Sequence, residues 1–367
     1  MTPLKREFVW DTLRHDIIEQ IRGGTFKSDE PILPTGKLSE EYGISTVSVR
    51  RAIDELVKEG WLYRKRHVGA FVSSSPPADQ ERPGTIKVIV FEPSMQPHYR
   101  DYVQPLESGL QDVLDKDHIY TVRALLTDQR WEAYLDDARP PARAVVVTEL
   151  SSEKKPTLMP IFARKKVALV TNETATDDSY GFHYDCVSAD HRQAARAATL
   201  HLVELGHRRI AHVAGSRSVV AGCVRREGYL SALREAGIAS GDELVRETNW
   251  LIEDAYGATR ELLELDDPPT AFFASSDTLA FGVLRALRER ALRVPDDVSV
   301  VGCDDLEMSS HTDPPLTTIR TPREQIGRMM GQLLLDRIAH PDKQSSAVLL
   351  QTQLIVREST GPPPEGE

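Results

Sequence analysis

Cysteine is scarce in this 367-residue chain: Cys186, Cys223 and Cys303 are the only three. They stand too far apart for a metal knuckle and are odd in number. Neither a zinc site nor a disulfide framework is expected, and each reads as a small buried hydrophobe. Long apolar runs are missing as well. No stretch of eighteen apolar residues occurs, so no membrane-spanning helix is expected. Met1 to Trp10 lacks the apolar core of a secretion leader. A cytoplasmic protein is the expectation. Signatures of chemistry are equally thin. There is no Gly-x-Ser-x-Gly elbow, no phosphate-cradling glycine loop after a strand and no clustered set of metal ligands. The reading is therefore no enzyme: no catalytic residue, no cofactor and no metal.

Positive charge is in short supply, with 45 Lys and Arg against 56 Asp and Glu, a net charge of -11. The deficit is not shared evenly. Residues 1–75 hold 12 basic and 11 acidic residues, and the remainder holds 33 and 45. Within Ile44 to Arg51 and Trp61 to His67 stand Arg50, Arg51, Arg64, Lys65 and Arg66, with no acid among them. Most charge runs are only solvated faces. Cations gathered on two adjoining elements of an acidic chain are instead a footprint for phosphate, and that assigns nucleic acid to the amino end alone.

The same stretch has the periodicity of a DNA reader. Trp10, Leu13, Ile17 and Ile21 lie on one stripe of a first helix that Gly23-Gly24 ends. Tyr42-Gly43-Ile44-Ser45 reads as a turn between two further helices, with Gly43 able to take the left-handed conformation and Ser45 able to cap the second of them. Val49, Ala52, Ile53 and Leu56 recur at helical spacing as a buried face. Thr46, Ser48, Arg50 and Arg51 fall on the other side, where a major-groove helix needs small polar groups and guanidiniums. Trp61 to Arg66 and Ala70 to Val72 can pair around His67-Val68-Gly69 as a basic wing.

Leu33-Pro34, Leu38 to Ser45, Ser48 to Ala52, Glu59-Gly60-Trp61-Leu62 and Gly69 to Val72 together resemble the winged helix-turn-helix of the GntR regulator family. The resemblance implies that the helix after the turn enters the major groove and the wing tip reaches the minor groove of a double-stranded operator. It places Ser45, Ser48 and Arg50 on phosphate or bases, with Thr46 and Arg51 beside them, and Arg64, Lys65, Arg66, His67 and Gly69 along the wing. Two departures stand out. Thr46 occupies a position where the family usually has Arg, and Thr35-Gly36-Lys37 replaces a Ser-Glu-Arg type run. Lys37 can still reach a phosphate.

Ser73-Ser74-Ser75-Pro76-Pro77 through Pro83-Gly84 is polar, proline-bearing and aperiodic, so residues 76–84 read as an extended linker after a domain of residues 1–75. Beyond it the pattern changes to short apolar runs between amphipathic helices. Ile86 to Phe91, Tyr120 to Leu126, Ala144 to Thr148, Val167 to Thr171, Ile210 to Ala214, Ala271 to Ala274 and Val298 to Val301 are strand candidates, rich in Val, Ile and Ala as parallel strands buried on both faces are. Ala194 to Leu205 and Thr278 to Arg290 are helix candidates. The fold class is α/β with doubly wound layers, and ligands of such sheets bind beyond the carboxyl ends of the strands. Gly206-His207-Arg208-Arg209 reads as a helix end with cations at its negative pole, which makes His207 a capping group before a catalytic one.

Gly206 to Ile210, Arg225-Arg226-Glu227-Gly228-Tyr229, the strand end at Asp277, Val301 to Asp305, Pro314 to Ile319 and Arg357-Glu358-Ser359 resemble the effector-binding core of the LacI/GalR repressors. That core has the two-subdomain, periplasmic-binding-protein-like fold. The resemblance covers residues 85–360, as an effector-binding and dimerisation domain, and leaves 361–367 as a tail. A GntR-type head on such a body is similar to the arabinose-repressor subfamily. By position the resemblance makes Arg225 and Asp277 contacts to a small-molecule effector, with Asp190 on the rim and Tyr99 covering an apolar face. A carboxylate and a planar guanidinium suit the vicinal hydroxyls of a sugar. Each residue also has a plainer reading. Asp277 and Asp190 can be helix caps, Arg225 or its neighbour Arg226 can be merely solvated, and Tyr99 can simply pack. Asp304 and Asp305 read as structural.

The function expected is a sugar-responsive transcription regulator, a repressor that binds a pseudo-palindromic operator as a homodimer with half-sites spaced by about 34 Å. A corepressor or non-sugar effector is the alternative within that class, and a sugar-binding protein without DNA function lies outside it. Pro76, Pro77 and Pro83 disfavour an ordered helix in the linker, so coupling is expected through the spacing of two heads.

Overall fold

The computed structural model describes residues 13–14, 16–18, 20–21, 26–42, 45–65, 69–74, 87–92, 97–114, 120–125, 144–147, 153–173, 178–180, 182–239 and 241–364. Two units separate between Gly84 and Thr85. Trp10, the Gly43-Ile44 part of the turn, Arg66, His67 and the linker 76–84 lie outside the described residues.

In the small unit the helical periodicity is realised residue by residue. Helix α1 (Thr35–Glu41) precedes α2 (Thr46–Lys58), whose N-cap is Ser45: its Oγ accepts from the backbone N–H of Ser48 at 3.1 Å. Such a cap satisfies one of the donors a helix start leaves unpaired, an effect of about 1 kcal/mol. Val49, Ala52, Ile53 and Leu56 share one core with Leu13, Ile17 and Ile21 of the leading helical residues and with Leu38 of α1. Strand β1 (Leu62–Lys65) pairs antiparallel with β2 (Gly69–Val72), Leu62 opposite Val72 and Lys65 opposite Gly69. Gly69 has φ +144°, a backbone angle that side chains resist, so the wing turns where glycine permits it.

The large unit holds two parallel sheets. The first is built from β3 (Lys87–Glu92), β4 (Tyr120–Leu125), β5 (Ala144–Val147), β6 (Ala168–Thr171), β7 (Asp185–Ala189) and β13 (Ala347–Leu350). Across the sheet their order is β13-β7-β6-β5-β3-β4. The second is built from β8 (Ile210–Ala214), β9 (Val245–Glu247), β10 (Ala271–Ala274) and β11 (Ser299–Val301), in the order β11-β10-β8-β9. A short antiparallel pair, β12 (Thr318–Arg320) with β14 (Gln353–Ile355), completes it. Five of the strands, β7, β9, β12, β13 and β14, were not among the runs picked out by apolar composition. Three of them are only three residues long, and the Asp, Cys and Ser of β7 dilute its signal although every residue of it is buried.

Each sheet has its own core. Helix α3 (Pro97–Leu114) and the long α9 (Arg323–Ala339) cover the first through Leu106, Leu110, Ile326, Met330 and Leu334, packed on Val146, Val170 and Val187. A further helix, α4 (Lys155–Lys165), buries Met159 and Phe162 against Val145 and Leu169. The second sheet is flanked by α5 (His191–Glu204), α6 (Val220–Glu235), α7 (Ile252–Leu262) and α8 (Asp277–Glu289). The chain passes between the two cores three times: at Asp190 after β7, at Thr321-Pro322 before α9, and at residues 351–352 after β13. Two of these crossings are tied together, since Asp190 N–H donates to Leu350 O at 2.9 Å. The two subdomains are thus joined by three crossings.

Asp277 corrects one expectation. It is fully buried, and it neither caps α8 nor reaches Arg225; the cap is Ser276, whose side chain accepts from Leu279 N–H at 3.2 Å. The Asp277 carboxylate is instead satisfied within the protein. Oδ2 accepts from Leu306 N–H at 2.8 Å and Ser309 Oγ at 2.6 Å, and Oδ1 accepts from Thr318 Oγ1. It pins the segment after β11 to the start of β12. Burial and the nearby Asp304 push its pKa up to about 6, against the pull of these three donors.

Helices α3 and α9 touch backbone to backbone: a Cβ on Gly327 would lie 1.8 Å from Leu106 O, and one on Gly109 would lie 1.9 Å from Glu324 O. Gly327→Ala must therefore push the helices apart, and calorimetry should show a loss of about 1–3 kcal/mol. The buried Asp277 has a consequence for pH. A carboxyl raised in the folded state from 3.8 to about 6 contributes stability that is full below pH 3.8 and lost as pH rises through 6. Relative to Asp277→Asn, which cannot titrate there, the wild-type protein should lose melting temperature over that window and run parallel above it. A pH-independent difference between the two would contradict the assignment.

Candidate functional site

The outward face of α2 carries the expected DNA-reading groups. Ser45, Thr46, Arg50 and Arg51 are exposed, Lys37 is exposed on α1, and Ser48 is held at the helix start through the Ser45 cap. Ser45 and Ser48 also share a hydroxyl contact at 3.0 Å. Arg50 makes no ion pair among the described residues, which leaves its guanidinium available to an outside anion. The wing cations are less free than their sequence implies. Arg64 pairs with Asp54 of α2, and Lys65 Nζ sits 4.2 Å from the centre of the Phe71 ring. Arg64 therefore braces the wing against the helix before it meets any phosphate. Exposed pairs of this kind are worth under about 1 kcal/mol, so a phosphate can displace Asp54.

In the large unit, chemistry gathers where the strands of the second sheet end. Arg225 of α6 is 2% exposed, so its charge must find partners inside the protein. Nη2 donates to Asp304 Oδ1 at 3.1 Å and to His191 Nδ1 at 3.1 Å, and Nη1 donates to Ser275 O. Its Nε is buried with no hydrogen-bond partner among the described residues. One strong donor is therefore left unsatisfied, a feature that costs free energy unless something occupies it. Asp304 follows β11, Ser275 follows β10 and His191 opens α5, so groups from three elements converge on one guanidinium. Burial raises the Asp304 pKa, while Arg225 and Arg323 draw it down. Burial, with Arg225 beside it, holds His191 well below its ordinary value. Since a guanidinium only donates, Nδ1 of His191 accepts, and the neutral ring carries its proton on Nε2.

An aromatic wall stands beside this cluster. Trp250, after β9, lies with its ring centre 5.9 Å from the Arg225 guanidinium carbon, and its indole N–H is buried without a partner among the described residues. It rests on Gly215, where an added Cβ would fall 2.0 Å from the ring. Trp250 has φ +66°, Asp304 φ +122° and Asp305 φ +53°. Strained backbone at three residues of one cluster is the kind held by surrounding structure at binding sites. Behind it His212 is stacked between Tyr229 and Phe273, at 4.8 Å from each ring. It lies 3.5 Å from Ser275 Oγ, and burial brings its pKa to about 4, so it stays neutral. From the first subdomain's side, Arg323 bridges the two cores. It lies 5.5 Å from the Tyr102 ring of α3 and donates to Asp101 O at 3.4 Å and to Asp305 O at 3.3 Å.

Of the effector residues expected from sequence, Arg225 lies at the centre of this cluster. Its acidic partner is Asp304, an acid that the sequence alone marks as structural, while Asp277 is buried among other partners. Asp190 Oδ1 accepts from Gln193 N–H at 2.9 Å and so caps α5, the plainer of its two readings. Tyr99 lies on α3, but its side chain is outside the described residues. Trp250 and His191 carried no periodic or motif signal. Asp304 carried one, an acid directly after a buried strand, but shared it with Asp277 and Asp305. Arg226 turns outward to Asp242. Among the described residues no group of acids, histidines and cysteines is placed to hold a metal, and no helix is long and apolar enough to cross a membrane.

Comparison with known proteins matches both units. Residues 10–72 match the model of bacterial regulatory proteins of the gntR family, and residues 199–360 match the periplasmic binding protein-like domain. Over 173 residues the chain is 42% identical to the transcriptional regulator CelR of Thermobifida fusca, covering 47% of this chain and 51% of CelR, about half its length. It is 28% identical to the arabinose metabolism transcriptional repressor of Geobacillus stearothermophilus over 359 residues, 95% of this chain and 96% of that one. A solved CelR–cellobiose complex superposes with a TM-score of 0.68 at 29% identity, covering 86% of this chain and 90% of that one. A LacI-family regulator from Enterococcus faecium with bound ribose does so with 0.63 at 27%, covering 75% and 99%. The chain is thus similar over residues 10–72 to gntR-family regulatory proteins and over residues 199–360 to periplasmic binding protein-like domains, with a body whose fold is that of the LacI-family regulators.

Proposed function

We propose that this protein is a sugar-responsive transcription regulator, a non-enzymatic repressor of carbohydrate-utilisation genes that binds its operator as a homodimer and is released by its ligand. The observation that carries the reading is the Arg225 cluster. A fully buried guanidinium retains an unsatisfied Nε–H, an adjacent indole N–H is also unsatisfied, and both lie at the strand ends where such folds bind ligands. Two orphaned donors beside an aromatic face and a carboxylate suit a pyranose or furanose. Its hydroxyls accept from the donors and donate to Asp304, while its C–H face lies on Trp250. The chain's similarity to CelR, solved with cellobiose, and to an arabinose metabolism repressor points to the same ligand class. On the other unit, Arg50 and Arg51 on an exposed helix face supply the cations for duplex DNA.

Coupling runs through residues that touch both subdomains. Ligand drawn onto Arg225 and Asp304 shifts the segment that Asp277 and Arg323 hold, and Arg323 opens α9 of the other core. Allosteric coupling of about 1–3 kcal/mol would change operator affinity roughly 5–150-fold. A thermal-shift screen of pentoses, hexoses and disaccharides identifies the ligand, and operator binding is then measured with and without it. Asp304→Ala should weaken sugar binding more than about tenfold, as loss of a charge-assisted hydrogen bond does, and leave sugar-free operator binding intact. Arg50→Ala should do the reverse. Undiminished sugar affinity in a folded Asp304→Ala protein would reject the pocket, and turnover of any sugar would reject a purely binding role.

A further inference from the structure

Val47 is the most exposed large apolar side chain among the described residues, at 72%. Its position on α2 gives that exposure meaning. At about 100° per residue, Val49, Ala52, Ile53 and Leu56 define the buried direction, and Val47 points within roughly 10–20° of its opposite. It stands in the first turn, the part of a reading helix that approaches base edges. Arg50 and Arg51, three and four positions on, flank it and are both exposed. Asp54, the acid next along this face, is engaged by Arg64 of the wing. The helix therefore presents an isopropyl group at its apex with cations to either side. Nothing in the fold of the small unit calls for it. A β-branched apolar residue gains no helix propensity there and keeps its surface in water.

Resting on the DNA-reading assignment of this helix, the geometry points to Val47 as a specificity-determining residue that reads the C5-methyl group of a thymine in each operator half-site. The chemistry leaves one base feature that fits. In the major groove, guanine offers two acceptors, cytosine a donor, and adenine an acceptor and a donor; thymine alone adds an apolar group. An isopropyl pressed on any of the polar edges strips their water and returns no hydrogen bond, which is unfavourable. Against a thymine methyl the same contact removes apolar surface from water on both sides. Arg50 and Arg51 supply the neighbouring phosphate or guanine contacts, and Val47 then decides the base between them. Thr46, which carries a methyl of its own beside Val47, extends the apolar spot.

The test uses the full chain and chemically defined duplexes. Bound sequences are first recovered from a randomised duplex pool, and a thymine is expected at one fixed position of each half-site. Each thymine of the selected site is then replaced singly by deoxyuridine, which removes only the methyl group. At one position per half-site this should weaken wild-type binding about three- to fivefold, the effect of roughly one methyl group. The same replacement should leave Val47→Ala unaffected, and Val47→Ser should lose the preference for thymine there while keeping its salt-dependent affinity. Circular dichroism should show both variants folded, as expected for a side chain so exposed. If every deoxyuridine duplex affects wild type and Val47→Ala alike, the inference is wrong while the DNA-reading role survives. If the pool yields no enriched sequence at low salt, the DNA-reading assignment falls and this inference with it.

Discussion

A guanidinium taken out of water organises the large unit. Arg225 cannot shed its proton, so burial at 2% exposure must be answered by acceptors, and the fold brings them from three separate elements. Asp304 supplies the opposite charge, Ser275 a carbonyl and His191 a neutral ring nitrogen. None of these neighbours in space is a neighbour in sequence, and each lies where a strand ends or a helix begins. That placement is what parallel strands provide. Their carboxyl ends line one edge, and the loops leaving them are free of the sheet's hydrogen-bonding ladder. Among the described residues one donor of Arg225, its Nε, is left over, and it is on this that the proposed ligand contact rests.

A second acid ties this cluster to the rest of the unit. Asp277 holds Leu306, Ser309 and Thr318, so the segment bearing Asp304 and the strand leading to a crossing between subdomains are bound to one carboxylate. Asp305, next to Asp304, pairs with Arg320 and Arg357, while Arg323 reaches Asp305 O from the first turn of α9. Any ligand that shifts Asp304 pulls on groups that continue into the first subdomain. Close helix packing through Gly327 and Gly109 then makes α3 and α9 move together. In the small unit the logic differs: its core is a conventional apolar cluster, and the groups proposed to meet DNA are the exposed ones on α2.

Much of this was legible in the chain. The buried face of α2, its Ser45 cap, the wing pairing and the seven apolar strand runs come from periodicity and turn chemistry, which act over a few residues. Both units also resemble known families by motif, and Arg225 is among the residues that the resemblance singles out. Which acid meets the guanidinium was not legible, for a physical reason. Asp277 and Asp304 each come after a buried strand of one parallel sheet, and local sequence holds nothing to say which meets the guanidinium. That depends on which of the two packs against Arg225 and which against the backbone of residues 306–309, contacts spanning 29 to 79 positions. Trp250 was missed because its role depends on Gly215, just after another strand, leaving room for the ring. The strands β9, β12 and β14 were missed because three residues carry too little pattern.

Read alone, the chain carried most of the elements and their order, the charge division between a near-neutral front with clustered cations and an acidic body, and the buried and exposed faces of α2. All of these are set by spacing along one helix or strand, or by composition. Only the tertiary structure decided which charges are paired, that Asp304 meets Arg225 while Asp277 is sealed inside, and that Asp190 caps a helix at a subdomain crossing. Such choices are made by desolvation, because a buried ionic group takes whichever partners the packed sheet delivers, however far apart they lie in the chain.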